Sequence, residues 1–500
     1  MSLMSVRRFL TAFSTTKPLF SCLYTTQNST VETIFALSSG KGRAGVSVIR
    51  VSGPQVCTVL SQMITKKPIS TIRPRTAYLR MISHPVSHEP LDNGVVMYFK
   101  GPHSFTGEDV AEFHVHGGTA VIRGVLSALS TFPRVRPAEA GEFTKRAFLN
   151  GKMDLTEAEG VADLIQAETE AQRKQALRQM NGALLTSYAN WRERLLQAVA
   201  FLEAHIDFGE EEELEPDIIE KVKGMVSVVE HELLSHLNDH RKGERLRNGV
   251  SITIVGKPNV GKSSLLNFLC QRPAAIVSPL PGTTRDIIET ALDLAGYPVL
   301  LSDTAGLRET ADIVESEGVR RALRRAEEAD LLILVIQADE IPLDGKLSGL
   351  MDDAGSKAAL ISFGLNAPQN QKVMVIVNKC DLLPEETAYS LAQSFPSASF
   401  ISCTSAMGID GFLEKLSNVV AELCGNPSVG EASLTQQRHR VNLEQCAQRL
   451  RRFWELMAID DVTLCAHELQ QALICIGKVT GKIRSEEILD VIFRDFCIGK

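Results

Sequence analysis

The residues best able to do chemistry form four short segments in the middle of the chain. They read Gly256-Lys-Pro-Asn-Val-Gly-Lys-Ser263, Gly282-Thr-Thr-Arg-Asp286, Asp303-Thr-Ala-Gly306 and Asn378-Lys-Cys-Asp381. The first has the spacing of a phosphate-binding loop, in which backbone N–H groups and the N-terminus of the next helix surround phosphate oxygens. Lys262 would then reach the outer phosphates, and Ser263 would bind Mg²⁺.

The other segments complete a site for a guanine nucleotide. Asp303 supplies an acidic residue near the magnesium ion, and the N–H of Gly306 can face the γ-phosphate. Asp381 selects guanine, because its carboxylate accepts hydrogen bonds from the ring N–H and from the exocyclic amine that adenine lacks. Together the segments predict GTP and Mg²⁺ as ligands.

The loop beside the base has two candidates in the sequence. Ser405-Ala406 has the usual residue types, but counting back from Gly408 favours Ser402-Cys403, with Cys in place of the usual Ala. We prefer the second pair. The predicted GTP-binding residues are then Gly256, Lys257, Pro258, Asn259, Val260, Gly261, Lys262, Ser263, Ser264, Thr283, Thr284, Asp303, Thr304, Ala305, Gly306, Asn378, Lys379, Asp381, Ser402 and Cys403.

One position departs from many regulatory GTPases. Leu307 directly follows Gly306, where those proteins have a glutamine that orients the attacking water, and a leucine side chain cannot hydrogen-bond water. Another group must therefore position the water. The candidates are the polar residues that follow, namely Arg308, Glu309, Asp312 and Glu315.

Short apolar runs precede these motifs and predict the elements that position them. Residues 251–255, 298–302, 331–335 and 373–377 have the composition of buried strands in a largely parallel sheet. Ligands of open α/β sheets lie at the carboxyl ends of the strands, where each motif begins. We therefore predict a P-loop GTPase domain of the Ras-like α/β class over residues 248–424.

The pattern on both sides of this domain is helical. Thr156 and Glu159 have the spacing of a capping box that opens a helical region. One apolar helix face is formed by Val222, Val226, Val229, Leu233 and Leu237. We expect residues 153–247 and 425–500 to fold together as one discontinuous helical domain, into which the nucleotide domain is inserted.

The N-terminal third of the chain divides near residue 31. Residues 1–31 contain Arg7, Arg8 and Lys17, many Ser and Thr, and no acidic residue, which is typical of a mitochondrial transit peptide. Residues 32–152 combine strand-like runs with Gly and Pro turns, which predicts an α+β domain.

Composition limits the possible functions of the whole chain. With 500 residues it is too long for one hydrophobic core, and it has no apolar run long enough to span a bilayer. The net charge of −7 provides no global attraction for nucleic acid, so RNA binding needs a local basic patch or a partner protein. The 10 cysteines lack the spacing of a disulfide framework.

These motifs resemble those of the MnmE (TrmE) family of tRNA-modification GTPases, and specifically its mitochondrial members. The likeness covers about residue 33 to residue 500. It includes Ser104-Phe-Thr-Gly-Glu-Asp109, His116-Gly-Gly118, Gly141-Glu-Phe143, Asp154-Leu-Thr-Glu157 and, as its most specific element, Phe496-Cys-Ile-Gly-Lys500.

The resemblance implies a K⁺-activated GTPase whose two nucleotide domains meet across a homodimer during hydrolysis. The implied metal ligands are Asn259, Ser278, Leu280 and Thr283 for K⁺, and Ser263 and Thr284 for Mg²⁺. Glu315 would orient the attacking water indirectly, which explains how Leu307 can replace glutamine. Arg285 and Asp286 are further catalytic candidates.

The resemblance also implies that residues 32–152 bind a folate, as 5,10-methylenetetrahydrofolate or 5-formyltetrahydrofolate. The matching folate-binding positions are Arg50, Glu112, Lys152 and Lys500. Cys497 would be a catalytic residue near this pocket, acting as its thiolate. An inert terminal cysteine is the alternative.

Members of the family act with an FAD-dependent, MnmG-like partner on carbon 5 of the wobble uridine of certain tRNAs. For this chain the resemblance implies a 5-carboxymethylaminomethyl or 5-taurinomethyl type of modification in the mitochondrial matrix. The flavin must belong to the partner, because the sequence has no Gly-x-Gly-x-x-Gly fingerprint. The alternatives are a regulatory RNA-binding GTPase of mitochondrial ribosome assembly and a folate-binding structural adaptor.

Overall fold

Two units make up the part of the chain that a computed structural model describes. The described residues are 32–64, 72–208, 218–271, 290–303, 324–340, 371–427, 433–483, 486–494 and 496–500, so the predicted transit peptide lies outside them. The first unit ends at Lys152 and also contains Asp490–Lys500, whereas the second is Met153–Leu489. Each unit is described by itself below.

A six-stranded mixed sheet forms the centre of the first unit. Its strands are β1 Thr33–Leu37, β2 Ala44–Ser52, β3 Tyr78–Ser83, β4 Pro90–Phe99, β5 Val110–Gly117 and β6 Val135–Pro137, in the order β3-β4-β5-β2-β1-β6. Its helices are α1 Val56–Met63, α2 Thr119–Ser130 and α3 Glu142–Leu149. Alternate residues of β2 and β5, such as Ile49 and Phe113, are buried in one apolar core. The predicted α+β class is confirmed.

The second unit begins with the first half of a helical domain. Its helices are α4 Leu155–Gln166, α5 Glu170–Met180, α6 Ala183–Phe208, α7 Ile218–Leu237 and α8 Lys242–Asn248. The predicted apolar face lies on α7, where Val222, Val226, Val229 and Leu233 are fully buried. Because four residues at helical spacing are buried together, α7 presents one stripe to the bundle core.

The predicted capping box at Thr156 and Glu159 is wrong by two residues. The N-cap of α4 is Asp154, whose carboxylate accepts the Glu157 N–H at 2.8 Å, while the Glu157 carboxylate accepts the Asp154 N–H at 2.8 Å. Thr156 instead donates its hydroxyl to Asp154 at 2.9 Å. An aspartate caps a helix at least as well as a threonine, so Asp154 takes the position.

A second sheet, in the middle of the second unit, positions the nucleotide motifs. Its strands are β7 Val250–Val255, β8 Thr290–Leu294, β9 Tyr297–Asp303, β10 Leu331–Gln337, β11 Lys372–Asn378 and β12 Ser399–Phe400, in the order β12-β11-β10-β7-β9-β8. All described pairings are parallel except that of β8 with β9. Helices α9 Lys262–Cys270, α10 Glu385–Ser394 and α11 Ile409–Cys424 accompany the sheet. This is the predicted inserted P-loop domain.

The second half of the helical domain follows as α12 Gln437–Met457 and α13 Val462–Thr480. Leu443, Leu450 and Ile476 of this half share one apolar core with Leu195 and Val226 of the first half. The two halves therefore fold together as predicted. None of the helices in the described ranges is both long and apolar enough to cross a membrane.

Glu159 joins the two halves through a buried ion pair. Its Oε2 atom lies 3.0 Å from Arg438 Nη2 and 2.7 Å from His439 Nε2. Burial alone raises the pKa of Glu159, but the charges and hydrogen bonds of His439 and Arg438 lower it to about 2. Breaking such a buried pair costs about 3–5 kcal/mol, because it leaves a buried charge without compensation.

The last helix, α14 Glu486–Arg494, leads into a tail that packs in the first unit. From Asp490 onward this grouping differs from the predicted helical segment 425–500. Phe493 is buried, with its ring centroid 6.3 Å from that of Phe148 and 5.6 Å from that of Phe496. The burial of these rings explains why the residues from Asp490 onward belong to the first unit, because the aromatic neighbours of Phe493 lie in that unit.

Candidate functional site

The loop between β7 and α9 has the shape of a phosphate cradle. Gly256 has φ +153°, and a Cβ there would collide with the Val335 carbonyl oxygen of the neighbouring strand. Gly261, at φ +102°, is the N-cap of α9 and has no side chain to occupy the first amides of the helix. Those amides and the helix dipole therefore favour an anion at this end.

Lys262 is held inside the same loop. Its Nζ atom donates to the carbonyl oxygens of Gly256 at 2.8 Å and Lys257 at 2.7 Å, and the residue is only 8% exposed. Main-chain carbonyls thus fix a nearly buried positive charge beside the uncapped helix end. The loop fits the phosphates of a nucleotide, since both features attract negative charge.

Asn378 connects this phosphate loop to the predicted base-binding side. It ends β11 and is almost fully buried. Its side chain donates to the Val260 carbonyl oxygen at 2.8 Å and accepts the Cys403 N–H at 3.3 Å. The first residue of the Asn-Lys-Cys-Asp motif therefore fixes two loops relative to each other.

Asp381 is exposed and lies on the predicted base-binding side, in the short turn Cys380–Leu382. Burial raises the pKa of the Cys403 thiol, and the negative charge of Asp381 raises it further, so Asp381 acts electrostatically on the Ser402-Cys403 loop. The preceding Lys379 has φ +63° and donates to Gln337 Oε1 at 2.9 Å. An exposed carboxylate beside the Ser402-Cys403 loop is free to accept the N–H groups of a guanine.

The geometry of the two candidate base loops differs. Ser402 is buried, its N–H donates to the Met407 carbonyl oxygen at 2.9 Å, and its hydroxyl accepts the Ser405 N–H at 3.1 Å. Cys403 is the residue that contacts Asn378. This arrangement supports Ser402-Cys403 over Ser405-Ala406 as the loop beside the base. The assignment stays a prediction.

Part of the predicted site lies outside the described residues. Those residues are Ser278, Leu280, Thr283, Thr284, Arg285, Asp286, Thr304, Ala305, Gly306 and Glu315. Asp303 ends β9 opposite Ile254 in the parallel register, so its backbone reaches the same sheet edge as the phosphate loop. Pro258, Asn259, Ser263 and Ser264 lie on the loop and the first turn of α9, with exposed side chains. The amide of Asn259 and the hydroxyl of Ser263 provide oxygen atoms of the kind that K⁺ and Mg²⁺ bind.

A second polar cluster lies in the first unit, on the facing strands β2 and β5. Arg50 and Glu112 are cross-strand partners, and the Arg50 Nε and Nη2 atoms lie 3.0 and 2.9 Å from Glu112 Oε1. The guanidinium carbon is 5.2 Å from the ring centroid of Phe105 and 5.8 Å from that of Phe143. Arg50 Nη1 is buried and has no hydrogen-bond partner among the described residues. Such a donor is available to a polar ligand.

The C-terminal tail reaches this cluster. Ile498 pairs with Ala140 in an antiparallel bridge, and the Gly499 carbonyl oxygen accepts the Ser38 hydroxyl at 2.9 Å. Burial lowers the pKa of Lys500, and the positive charge of Arg50 lowers it further, whereas Glu112 and Cys497 oppose the change. The ammonium of Lys500 thus lies within the electrostatic reach of all three groups.

The structure therefore brings Lys500, together with Cys497 of the same tail, towards Arg50 and Glu112, which lie far earlier in the sequence. The Cys497 side chain is exposed. Lys152, the remaining predicted folate-binding residue, is exposed and donates its Nζ to the Pro102 carbonyl oxygen at 3.0 Å. No described contact joins Lys152 to the other four.

Three further residues belong to the cluster and were not predicted. They are the two rings over Arg50, Phe105 and Phe143, and His114, whose Nε2 lies 3.5 Å from Glu112 Oε2. The two-residue alternation of β5 places His114 on the same face as Glu112. Both phenylalanines stand in motifs that carry the resemblance, but residue type alone does not assign them to the cluster, because a phenylalanine in a sequence looks like core.

Comparison with known proteins gives matches over most of the chain. Residues 33–152 match the family model described as GTP-binding protein TrmE N-terminus, and residues 155–497 match that of the MnmE helical domain. The mitochondrial 5-taurinomethyluridine-[tRNA] synthase subunit GTPB3 of Danio rerio is 49% identical over 484 residues, covering 94% of this chain and 93% of the relative. The Homo sapiens protein of the same name is 48% identical over 470 residues, with the same coverage. The tRNA modification GTPase MnmE of Rhodospirillum rubrum is 44% identical over 480 residues, covering 94% of this chain and the whole relative.

The inserted domain, with its phosphate loop and guanine-selective motif, defines a P-loop GTPase. The family models together cover most of the chain, and relatives well above 40% identity extend over 94% of it. The chain belongs to the MnmE (TrmE) family of tRNA-modification GTPases.

Proposed function

We propose that this chain uses GTP hydrolysis to drive a modification at carbon 5 of the wobble uridine of mitochondrial tRNAs. The product would be of the 5-carboxymethylaminomethyl or 5-taurinomethyl type. One observation carries the proposal: a single chain holds both the guanine-nucleotide loops and a second cluster, in which Lys500 lies within the electrostatic reach of Arg50, Glu112 and the thiol of Cys497. The printed names of the mitochondrial relatives support the taurinomethyl assignment.

In the nucleotide site, the chain's own residues bind and orient GTP. Lys262 and the amides at the start of α9 hold the phosphates, since both carry positive charge into the loop. Asp381 accepts the N–H groups of the guanine, with the Ser402-Cys403 loop beside it. Asn378 holds the phosphate and base loops in one geometry. Glu315 would position the attacking water.

Two cations would complete this site. Ser263 and Thr284 would hold Mg²⁺, and Asn259, Ser278, Leu280 and Thr283 would hold K⁺. When bound, these ions neutralise the negative charge that develops on the transferring phosphate oxygens. Asn259 supports the K⁺ assignment, because its left-handed backbone, at φ +67°, lies in the middle of the phosphate loop and its side chain is exposed.

We expect GTP turnover to depend on K⁺. Replacing K⁺ with Na⁺ at equal ionic strength should lower the rate of phosphate release by about 10³-fold, the lower end of what an arginine finger provides in other GTPases. Phosphate release at fixed GTP and Mg²⁺ measures the effect. Equal rates in the two salts would exclude K⁺ as an activator, and the Asn259→Ala variant, tested in K⁺, would show whether this side chain carries the effect.

In the first unit, the cluster would bind the tetrahydrofolate donor. The unpaired Nη1 of Arg50 and the carboxylate of Glu112 can hydrogen-bond a pterin, and the Phe105 and Phe143 rings restrict the guanidinium. Cys497 would react as the thiolate. Lys152, whose Nζ atom donates to the Pro102 carbonyl oxygen, would contact a different part of the ligand.

The partners follow from the same proposal. The chain would act in the mitochondrial matrix as a homodimer, together with an FAD-dependent, MnmG-like protein that supplies the flavin. The names of the relatives support the mitochondrial location. The match of residues 33–152 to the TrmE N-terminus favours this function over a role in ribosome assembly.

Nucleoside analysis of mitochondrial tRNA tests the proposed function. In cells that lack the protein, the modified wobble uridine should disappear from the affected tRNAs and return on expression of the full chain. An unchanged nucleoside profile in the deletion cells would show that the proposed function is wrong. Unaltered modifications at other positions of the same tRNAs serve as the control.

A further inference from the structure

A polar groove lies between α12 and α13 on the helical domain. Its cavity has a volume of about 340 Å³. The lining residues recur at helical spacing on each helix, so each helix presents one stripe to the groove. They are Gln445, Gln448, Arg449 and Arg452 of α12, and Gln471, Ile474, Cys475 and Lys478 of α13.

Two arginines of α12 are held in ion pairs and do not line the groove. Arg438 and Arg440 are bound to acidic residues, Arg438 to Glu159 and Arg440 to Asp239 and Glu244. These arginines hold the helical domain together and are not available to a ligand. A ligand in the groove can therefore use only the cations that line it.

The cations that line the groove are Arg449 and Arg452 of α12 and Lys478 of α13. Arg449 lies 3.2 Å from Glu468 Oε2, which compensates part of its charge. Within the described ranges, Arg452 and Lys478 have no acidic side chain within ion-pair distance. The groove thus has a net positive charge in a chain whose total charge is −7.

The surroundings of Cys475, which lines the groove, indicate that cations of both helices lie close together. Burial raises the pKa of the Cys475 thiol, but the positive charges of Lys478 and Arg449 act on the thiol in the opposite direction. One cation from each helix therefore lies near the same buried sulfur atom. Cys475 is only 6% exposed and lines the groove.

We propose that this groove binds the sugar-phosphate backbone of the tRNA substrate. Guanidinium and ammonium groups bind phosphate oxygens, and the amides of Gln445, Gln448 and Gln471 can hydrogen-bond phosphates and 2′-hydroxyl groups. The lining offers no aromatic ring on which a base could stack, so the contact reads the backbone and not the sequence. The inference rests on the proposed tRNA substrate and names where this chain contacts it.

The test is tRNA binding by the full chain carrying Arg452→Gln and Lys478→Gln. The probe is a fluorescent tRNA transcript with uridine at the wobble position, titrated by anisotropy at several salt concentrations. Losing two phosphate contacts should weaken binding about tenfold at moderate salt and reduce the slope of log K against log salt by about 1 to 2. The Glu substitutions at both positions should weaken binding further.

Arg451→Gln is the matched control, because Arg451 is an exposed neighbour of Arg452 that does not line the groove. Its affinity and salt slope should stay those of the unsubstituted chain. Equal affinities for the control and the double variant would overturn the inference and leave the proposed function intact. If the unsubstituted chain does not bind tRNA, the inference falls together with the tRNA part of the proposed function.

Two further measurements distinguish an RNA-binding groove from a site for small anions, and a lost contact from a misfolded variant. Inorganic phosphate at millimolar concentration should not displace the tRNA; displacement of the probe at that concentration would identify a small-anion site and overturn the inference. GTP turnover by the double variant should stay normal, since no groove residue belongs to the nucleotide site. A parallel loss of turnover and thermal stability would attribute the weaker binding to misfolding and overturn it.

Discussion

Cells whose only copy of this protein carries Cys497→Ser should lack the modified wobble uridine, although the protein still hydrolyses GTP. The hydroxyl of serine is a far weaker nucleophile than a thiolate and needs an adjacent base. Cys497 is exposed and lies within reach of the Lys500 ammonium, so the substitution removes reactivity without opening a core cavity. Mass spectrometry of tRNA nucleosides should show a loss of 100-fold or more, on the order of what other catalytic side chains contribute.

The matched control is Cys57→Ser in the same unit. The Cys57 thiol lies 3.8 Å from the Tyr98 hydroxyl and 3.7 Å from Asp109 Oδ2, no described contact joins it to Arg50, and serine leaves a small polar group at this position. This variant should modify tRNA normally. Full modification by Cys497→Ser would show that Cys497 is the inert cysteine of the alternative prediction.

The second large effect is expected at the base of the nucleotide. In the Asp381→Asn variant, the affinity for GTP should fall about 100-fold, because hydrogen bonds to a charged acceptor contribute roughly 1.5–3 kcal/mol each. An asparagine has one acceptor and one donor group, which suit xanthine with its oxygen at carbon 2. XTP should therefore bind the variant better than GTP does. Isothermal titration calorimetry with GTP and with XTP measures the change in nucleotide preference.

Asp293→Asn is the control for this exchange. Asp293 lies in the same domain and accepts the Gly296 N–H at 2.6 Å, which an asparagine oxygen can also accept. Its preference for GTP should not change. A preference for GTP that survives in Asp381→Asn would mean that Asp381 does not contact the base.

The strands of the nucleotide domain could be predicted because their signal is local. Residues 331–335 of β10, for example, are all apolar and buried, as expected of a strand that is covered on both faces of a parallel sheet. The phosphate loop was equally clear, since Gly256 and Gly261 meet backbone and side-chain atoms that leave no room for a Cβ. In both cases the physical requirement acts on a few neighbouring residues.

Other features depend on contacts that the sequence does not display. The base loop could not be decided from residue types, because its contact with Asn378 joins positions 25 residues apart. Asp154 and Thr156 are both capable of capping a helix, and only the position of the first turn separates them. The aromatic neighbours of Arg50 come from a loop, which carries Phe105, and from α3, which carries Phe143, and neither is near Arg50 in the sequence.

The ion pair of Glu159 with Arg438 has a consequence for how the chain folds. Its two members are 279 positions apart, so a chain that enters the matrix N-terminus first must bring in the whole nucleotide domain between them before they can meet. During that interval the apolar stripe of α7 has no partner from α12, whereas the inserted domain lies between them in one continuous segment. The incoming chain is therefore prone to aggregation through its first helical half until α12 and α13 have followed.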